Sequence, residues 1–450
     1  MKKPLLSTLL LLTTIQYVSA QTIIHKDVTI ESMVKEVNAD SLKSHINGML
    51  AFGTRHTLSS TTDAKRGIGA ARNWVLQKFE TYAKNAAGRM TCFVDTTTLQ
   101  PDGKRVDKLT NLGNAMAILK GTDTSDKRIF LISGHLDSRV SNVQNSTADA
   151  PGANDDGSGV AAVIECARII SKYRFPATIV FVAVSGEEQG LLGANFLASK
   201  AKTEGWQIEA VLNNDIMGSN NSNETQIIDN TKLRVFSEGL PAYELEKNAS
   251  AIRNYGLEND GISRQLARYV KEIGERYVDN IEVKLIYRND RFLRGGDHTP
   301  FVQKGFAAVR LTEMNENFDH QHQDVRIEKG VQYGDLPEFM DFEYLRKNTA
   351  VNLANLANLA KSPKNATDIK ISTSQLTNFS TINWKASASK NVKGYYVLIR
   401  ETTSAFWQKK IFTTETNIKL PFSKDNYFFA VQAVSTDLNE GLAIVPTVGR

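Results

Sequence analysis

From about residue 112 the chain alternates short apolar runs with stretches of helical period, and this rhythm limits the fold more than any other feature of the sequence. Asn114–Leu119, Arg128–Ser133, Thr178–Val184, Ile208–Asn213 and Phe306–Leu311 have the length and apolar content of buried strands. Between two of them Val160, Val163, Ile164 and Ala167 recur at i, i+3, i+4 and i+7, the stripe that a helix buries on one face. Strand, helix, strand in this order predicts an α/β domain with a mostly parallel sheet.

A last helical stripe, Leu353, Leu356, Ala357 and Ala360, ends at Lys361-Ser362-Pro363-Lys364-Asn365, and the period beyond it falls from 3.6 to 2. Ile382 and Trp384 share one strand face; Tyr395, Val397 and Ile399 share another; Tyr427, Phe429, Val431 and Ala433 alternate along a third. These short strands predict a small all-β sandwich. The early Trp and the late Tyr-x-Phe-x-Val-x-Ala ladder resemble a fibronectin type III module over Asp368 to about Val448. The expected division is a leader over 1–20, an α/β domain over 21–361, a linker over 362–367 and the sandwich over 368–450.

Length agrees with two or three domains at roughly 100–200 residues each, since the chain has 450. With 41% hydrophobic and 23% charged residues, collagen, low-complexity disorder and a disulfide-stapled miniprotein are excluded. The formal charge of +5 comes from 54 basic and 49 acidic residues, and Lys2 and Lys3 supply two of its units. No run of Lys and Arg is interleaved with aromatics, so no nucleic-acid partner is expected. Met1-Lys2-Lys3, the apolar stretch from Leu5 to about Val18, and Val18-Ser19-Ala20 read as an export signal cut after Ala20. No later stretch has the length of a membrane span, so a periplasmic or secreted mature chain is expected. Cys92 and Cys166 lack partners at metal-ligand spacing and read as free thiols rather than a bridge.

Polar motifs stand where the apolar runs end, which in an open α/β sheet is where functional groups gather. Gly134-His135-Leu136-Asp137 follows the second run; an imidazole there can bind a metal while a carboxylate orients its other nitrogen. Asn154-Asp155-Asp156-Gly157-Ser158-Gly159 opens the helix, where either Asp can cap the N-terminus or point into a cleft. Gly186-Glu187-Glu188-Gln189-Gly190 follows the third run, its paired carboxylates aimed apart. Asp215 follows the fourth, ahead of Ile216-Met217-Gly218, and can equally cap a turn. Asp297-His298-Thr299-Pro300-Phe301 and Asp319-His320-Gln321-His322-Gln323-Asp324 bracket the fifth. Each motif alone has an ordinary structural reading. Together, two histidines and three carboxylates from separate strand ends suit a two-metal hydrolytic site with a bridging carboxylate, and zinc accepts such mixed ligands.

In this order the motifs resemble the two-zinc secreted aminopeptidases of bacterial leucyl aminopeptidase type, over roughly Asn47 to Ala360, with Gly53-Thr54-Arg55-His56 also similar. The resemblance implies a three-layer α/β/α sandwich, two zinc ions, and peptide substrates with a free N-terminus. It implies that Asp155 bridges the metals, that His135 and Asp215 complete one site, and that Glu188 and His322 complete the other. Glu187 would be the general base and Asp137 the residue that orients His135. His320 competes with His322 for the last ligand; the Gln-His-Gln-Asp-Val context, similar to a bacterial branch, favours His322. The tyrosine that precedes this histidine in much of the family is missing, which leaves the oxyanion donor open.

Two other functions use the same residues. A carboxypeptidase would need a cationic pocket, for which Arg288, Arg291 and Arg294 are candidates; a dead peptidase scaffold would serve as a binding ectodomain, yet such scaffolds lose ligands. For the sandwich, binding to a surface or polysaccharide, spacing and removal by processing are all open, and Phe406 and Trp407 read as packing residues before binding ones.

Overall fold

The computed structural model describes residues 24–374 and 377–449; the expected export signal lies outside them. Helices α1 (Val28–Lys35), α2 (Ala39–Leu50) and α3 (Ile68–Ala83) precede β1 (Met90–Leu99), β2 (Thr110–Leu119) and β3 (Arg128–His135). Then come α4 (Gly157–Ile170), β4 (Thr178–Val184), α5 (Leu192–Thr203), β5 (Gln207–Asn214), β6 (Lys232–Phe236), α6 (Leu245–Tyr255) and α7 (Ile262–Tyr277). β7 (Glu282–Ile286), α8 (His298–Gln303), β8 (Ala308–Glu313), a small hairpin of β9 (Arg326–Glu328) and β10 (Val331–Tyr333), and α9 (Phe342–Lys361) complete this part.

One eight-stranded sheet runs in the order β1-β2-β4-β3-β5-β8-β6-β7, and its central strands β4, β3, β5 and β8 are parallel. Along β4, Ile179, Phe181 and Ala183 face the layer of α4, α7 and α9, while Val180, Val182 and Val184 face the layer of α5 and α8. Burial on both faces explains why this strand is apolar without interruption. The result is an α/β/α sandwich, as expected. All five apolar runs are strands; β6 and β7, which the apolar pattern does not reveal, close one edge. Their Lys-Leu-Arg-Val-Phe and Glu-Val-Lys-Leu-Ile sequences alternate charge with apolar side chains; β7 is the edge strand, and β6 lies between it and β8.

After α9 only strands follow: β11 (Thr367–Ser372), β12 (Ser380–Lys385), β13 (Val392–Glu401), β14 (Lys409–Thr413), β15 (Asn417–Leu420), β16 (Tyr427–Ser435) and β17 (Thr447–Gly449). They form sheets of order β15-β12-β11-β17 and β14-β13-β16, closed over Ile382, Trp384, Tyr395, Val397, Ile399, Phe429 and Val431. The connection from α9 is not a loose tether, because Arg128 donates to the Ser362 and Pro363 carbonyls at 2.7 and 2.9 Å. Leu442, from the connection before β17, joins the apolar core beneath α9.

Polar groups dominate the rest of this contact. Glu440 is fully buried, pairs with Arg276 of α7 at 2.5 Å and with Lys410 of β14 at 3.1 Å, and its carbonyl accepts from Tyr269. Asp260 is shared by Arg268 of α7 at 2.8 Å and Arg400 of β13 at 2.6 Å. Trp407 belongs to the same contact: Arg268 and Arg400 lie over its ring, and neighbouring Ala405 accepts hydrogen bonds from Arg268 and Tyr287. Phe406 is 48% exposed.

Candidate metal centre

The central strands deliver the site at their carboxyl ends, where β3 turns toward β4 on one side and chain order later continues to β5 on the other. His135 is the last residue of β3. Gly134 beside it packs so tightly on α4 that a Cβ would meet the Gly159 backbone at 2.5 Å, while a Cβ on Gly159 would meet the Asp156 carboxylate at 2.4 Å and the Asn214 carbonyl at 2.6 Å. The adjacent aspartates divide the two roles left open for them. Asp156 caps α4, accepting from Gly159 N at 2.8 Å and also from His135 N at 2.8 Å, so it welds strand end to helix start. Asp155, released from capping, points at the imidazoles.

Two groups of ligand atoms result, each within 4.8 Å of one another: His135, Asp155 and Asp215, and Asp155, Glu188 and His322. His135 Nε2 lies 3.1 Å from Asp155 Oδ1 and 3.7 Å from Asp215 Oδ1. His322 Nε2 lies 2.9 Å from Asp155 Oδ2 and 3.0 Å from Glu188 Oε1. Thus Asp155 presents one oxygen to each group. His320 instead stacks on Phe339, with ring centroids 3.6 Å apart, and belongs to neither. His322 sits at φ 56°, a left-handed backbone that few side chains adopt and that often marks a functional position.

Asp137 differs from the expectation. Its carboxylate stays 3.8 Å from His135 Nδ1, which donates instead to the Asp137 main-chain carbonyl at 3.0 Å. The carboxylate is taken up by Thr57 Oγ1 and by the main-chain N–H groups of Gly186, Glu187 and Glu188. One residue therefore orients the imidazole through its backbone and the Glu187-Glu188 turn through its side chain. It is a positioning residue rather than a catalytic one.

Sequence reasoning missed three cations and an acid. Arg310, fully buried within β8, reaches Asp215 Oδ2 at 3.0 Å and leaves the other oxygen for the metal site. Arg139 donates to Glu188 Oε2 at 2.8 Å, and Arg105 to the Glu188 carbonyl at 2.8 Å. Buried Asp335 accepts from the main-chain N–H groups of Asn154 and Asp155 and so fixes the bridging loop. Gln321, in the place where the family carries tyrosine, donates to Asp155 Oδ2 at 3.1 Å. His56 is buried away from both ligand groups, against Val143 and Gln189, while Arg55 ties together the Leu136, Pro151 and Gly152 carbonyls.

The electrostatics call for cations. Burial alone would lower His322, yet Glu188 and Asp155 push it up to about 10. Burial raises Asp215, but Arg310 and His135 bring it down to about 2. Burial, reinforced by Glu188, Asp215 and Asp297, holds Glu187 well above the usual carboxylate range. Glu188 Oε1 is buried and, although close to His322, accepts no hydrogen bond among the described residues; neither oxygen of buried Asp297 does either. Imidazole nitrogens, carboxylate oxygens and an orphaned buried oxygen fit zinc. Glu187 lines the same cleft of about 450 Å³ as His135, Asp155, Glu188, Asp215 and His322. Cys92 and Cys166 are both free, the latter buried.

Residues 114–330 match peptidase family M28. A probable zinc metalloprotease of Leptosphaeria maculans is 42% identical over 93% of this chain and 97% of its own length. Another probable zinc metalloprotease, from Pyricularia oryzae, is 41% identical over 94% of this chain and 85% of its own. In fold the chain is similar to the Legionella pneumophila LapA aminopeptidase, with TM-score 0.54 and 19% identity over 77% of this chain and 78% of that one. LapB of Legionella pneumophila gives TM-score 0.52 and 16% identity over 75% and 76% of the two chains. At those identities the solved structures speak for the fold alone. Identity near two residues in five, along almost the whole of both chains, places this protein among the peptidases of family M28.

Proposed function

We propose that this protein is an exported zinc-dependent aminopeptidase that removes N-terminal residues from peptides. The observation that carries the reading is the pair of ligand groups meeting at Asp155, with Glu187 in the same cleft. One zinc would be held by His135, Asp155 and Asp215 and a second by Asp155, Glu188 and His322. Bound zinc supplies a lowered water pKa and polarises the scissile carbonyl. The Glu187 carboxylate accepts the proton of the attacking water and returns it to the leaving amine. Asp137 holds the Glu187-Glu188 turn, while Arg139 and Arg310 each occupy one oxygen of a ligand carboxylate and aim the other. Asp155, Glu187 and Glu188 give the cleft the acidic wall that a substrate ammonium needs.

The leader of residues 1–20 supports export, and no helix among the described residues is long and apolar enough to cross a membrane. We read the C-terminal sandwich as fibronectin type III-like; Trp384 packs edge-on against Tyr395 in its core, with centroids 5.4 Å apart. A carboxypeptidase is the second reading, favoured by Arg291 and Arg294 in the cleft. Hydrolysis of aminoacyl-anilides against N-blocked peptides separates the two. Turnover confined to free N-termini is expected, and efficient cleavage of blocked peptides would overturn the aminopeptidase reading.

A further inference from the structure

The mouth of the metal cleft is basic, although its floor is acidic. Arg105, Arg139, Arg291 and Arg294 all line it. Arg139 and Arg105 are engaged with Glu188. The other two come from the loop between β7 and α8 and are differently placed. Arg291 is 12% exposed and is held by two acids, Glu316 at 3.0 Å and Asp290, which lies 3.6 Å from its buried Nε. Arg294 is exposed and has neither hydrogen-bond nor ion-pair partner for its guanidinium among the described residues. Arg291 thus has acids beside it, whereas Arg294 carries an uncompensated positive charge at the mouth of the cleft among the described residues.

The loop has a firm base and an apolar flank. Tyr287 at its start is stacked by Arg264, 3.7 Å from the ring centre, and donates to the Ala405 carbonyl of the sandwich. Phe292, 74% exposed, and Phe318 border the adjoining groove, which Arg288, Arg291 and Arg294 also line. Guanidinium forks beside exposed aromatic rings suit a carboxylate carried on a peptide, because Arg matches that group in a bidentate way.

We propose that Arg291 and Arg294 form a carboxylate-binding subsite that selects peptides bearing a negative charge beyond the scissile bond. The charge can come from an acidic side chain or from the C-terminus of a short peptide. This inference rests on the peptidase reading above and adds a substrate class to it. Arg294 supplies the accessible half of the fork and Arg291 the half held in place by Glu316.

The test compares Leu-Gly-Gly with its C-terminal amide, and Leu-Glu-Gly amide with Leu-Gln-Gly amide, on the zinc-loaded enzyme. Within at least one pair the charged member is expected to be preferred about tenfold in kcat/KM, mainly through KM. Arg294→Ala or Arg291→Ala should abolish that discrimination, and added salt should shrink it. Preference in the first pair assigns the subsite to the C-terminus, and in the second to the side chain. Equal turnover within both pairs, or discrimination that survives both substitutions, overturns the subsite. If no peptide is cut, the aminopeptidase reading fails, and calorimetry of the same four peptides on zinc-loaded Glu187→Gln decides the subsite separately. Tighter binding of a charged member supports it, and equal affinities reject it.

Discussion

Two of the clusters of buried charge among the described residues are built on opposite rules. At the contact between α7 and the sandwich, each acid has its cations: Glu440 has Arg276 and Lys410, and Asp260 has Arg268 and Arg400. At the metal centre Asp155, Glu187, Glu188, Asp215 and Asp297 crowd together with two arginines and two histidines among them, and Glu188 Oε1 and both Asp297 oxygens accept no hydrogen bond among the described residues. A buried charge without compensation is costly, so such a cluster either takes up protons, as the raised Glu187 and Asp297 carboxyls do, or binds a ligand that supplies the missing charge. Balance marks the structural cluster and imbalance the functional one.

The largest effect expected from breaking this contrast is on turnover. Glu187→Gln should keep its zinc, measured by elemental analysis, while kcat falls by about 10²–10⁴-fold. A variant that stays active would show that another group moves the proton.

Removing charge from the balanced cluster should act on stability instead. Glu440→Ala removes the buried carboxylate that Arg276 and Lys410 share and leaves both to the partly exposed Glu272, and a loss of about 1–3 kcal/mol in denaturant unfolding is expected. A loss below about 1 kcal/mol would mean that the sandwich is a detachable module. Glu440, Asp260 and Leu442 all bind the sandwich to the helices around the main sheet.

Acid should loosen the same contact. Burial alone would raise Glu440, but Arg276 and Lys410 hold it well below its ordinary 4.5. A depressed carboxylate contributes its full stability above that ordinary value and loses it as pH falls toward the folded one. Unfolding midpoints should therefore drop below about pH 4.5 in the wild type more steeply than in Glu440→Gln. Parallel curves would remove Glu440 from the account.

The smallest effect, and one of opposite sign, is expected from Asp297→Asn. Its carboxyl is raised to about 7, first by burial and then by Asp137 and Asp215, with His135 opposing. Neutralising it should leave the chelated protein unchanged or more stable by about 1 kcal/mol at pH 8, read by thermal unfolding. Destabilisation would show that Asp297 has a partner, and the contrast between the clusters would weaken.

Much of this was legible in the sequence because polar residues directly after apolar strands announce themselves. His135, Glu187, Glu188 and Asp215 all stand there, and the strands that carry them show as short apolar runs. What stayed hidden has no local pattern. Arg310 lies inside a strand, where a lone arginine reads as an edge residue until its neighbours are known. Asp137 could be tied to the site by spacing, yet only coordinates show its backbone and side chain serving different partners. β6 and β7 hide because they are short and alternate charged with apolar residues, which leaves no continuous apolar run. Asn348, Asn352, Asn355 and Asn358 interrupt the apolar pattern of α9 although all four are buried; Asn358 reaches Glu440 across the contact. Glu440 itself sits in a loop with no motif, and its importance arises only from what folds onto it.

The central claim is that Asp155 joins two metal sites, and zinc content per chain tests it most directly. Purified wild type should carry two zinc ions, Glu188→Ala should lose one, and Asp155→Ala should lose both. One zinc in the wild type, or two remaining in Asp155→Ala, would contradict the account.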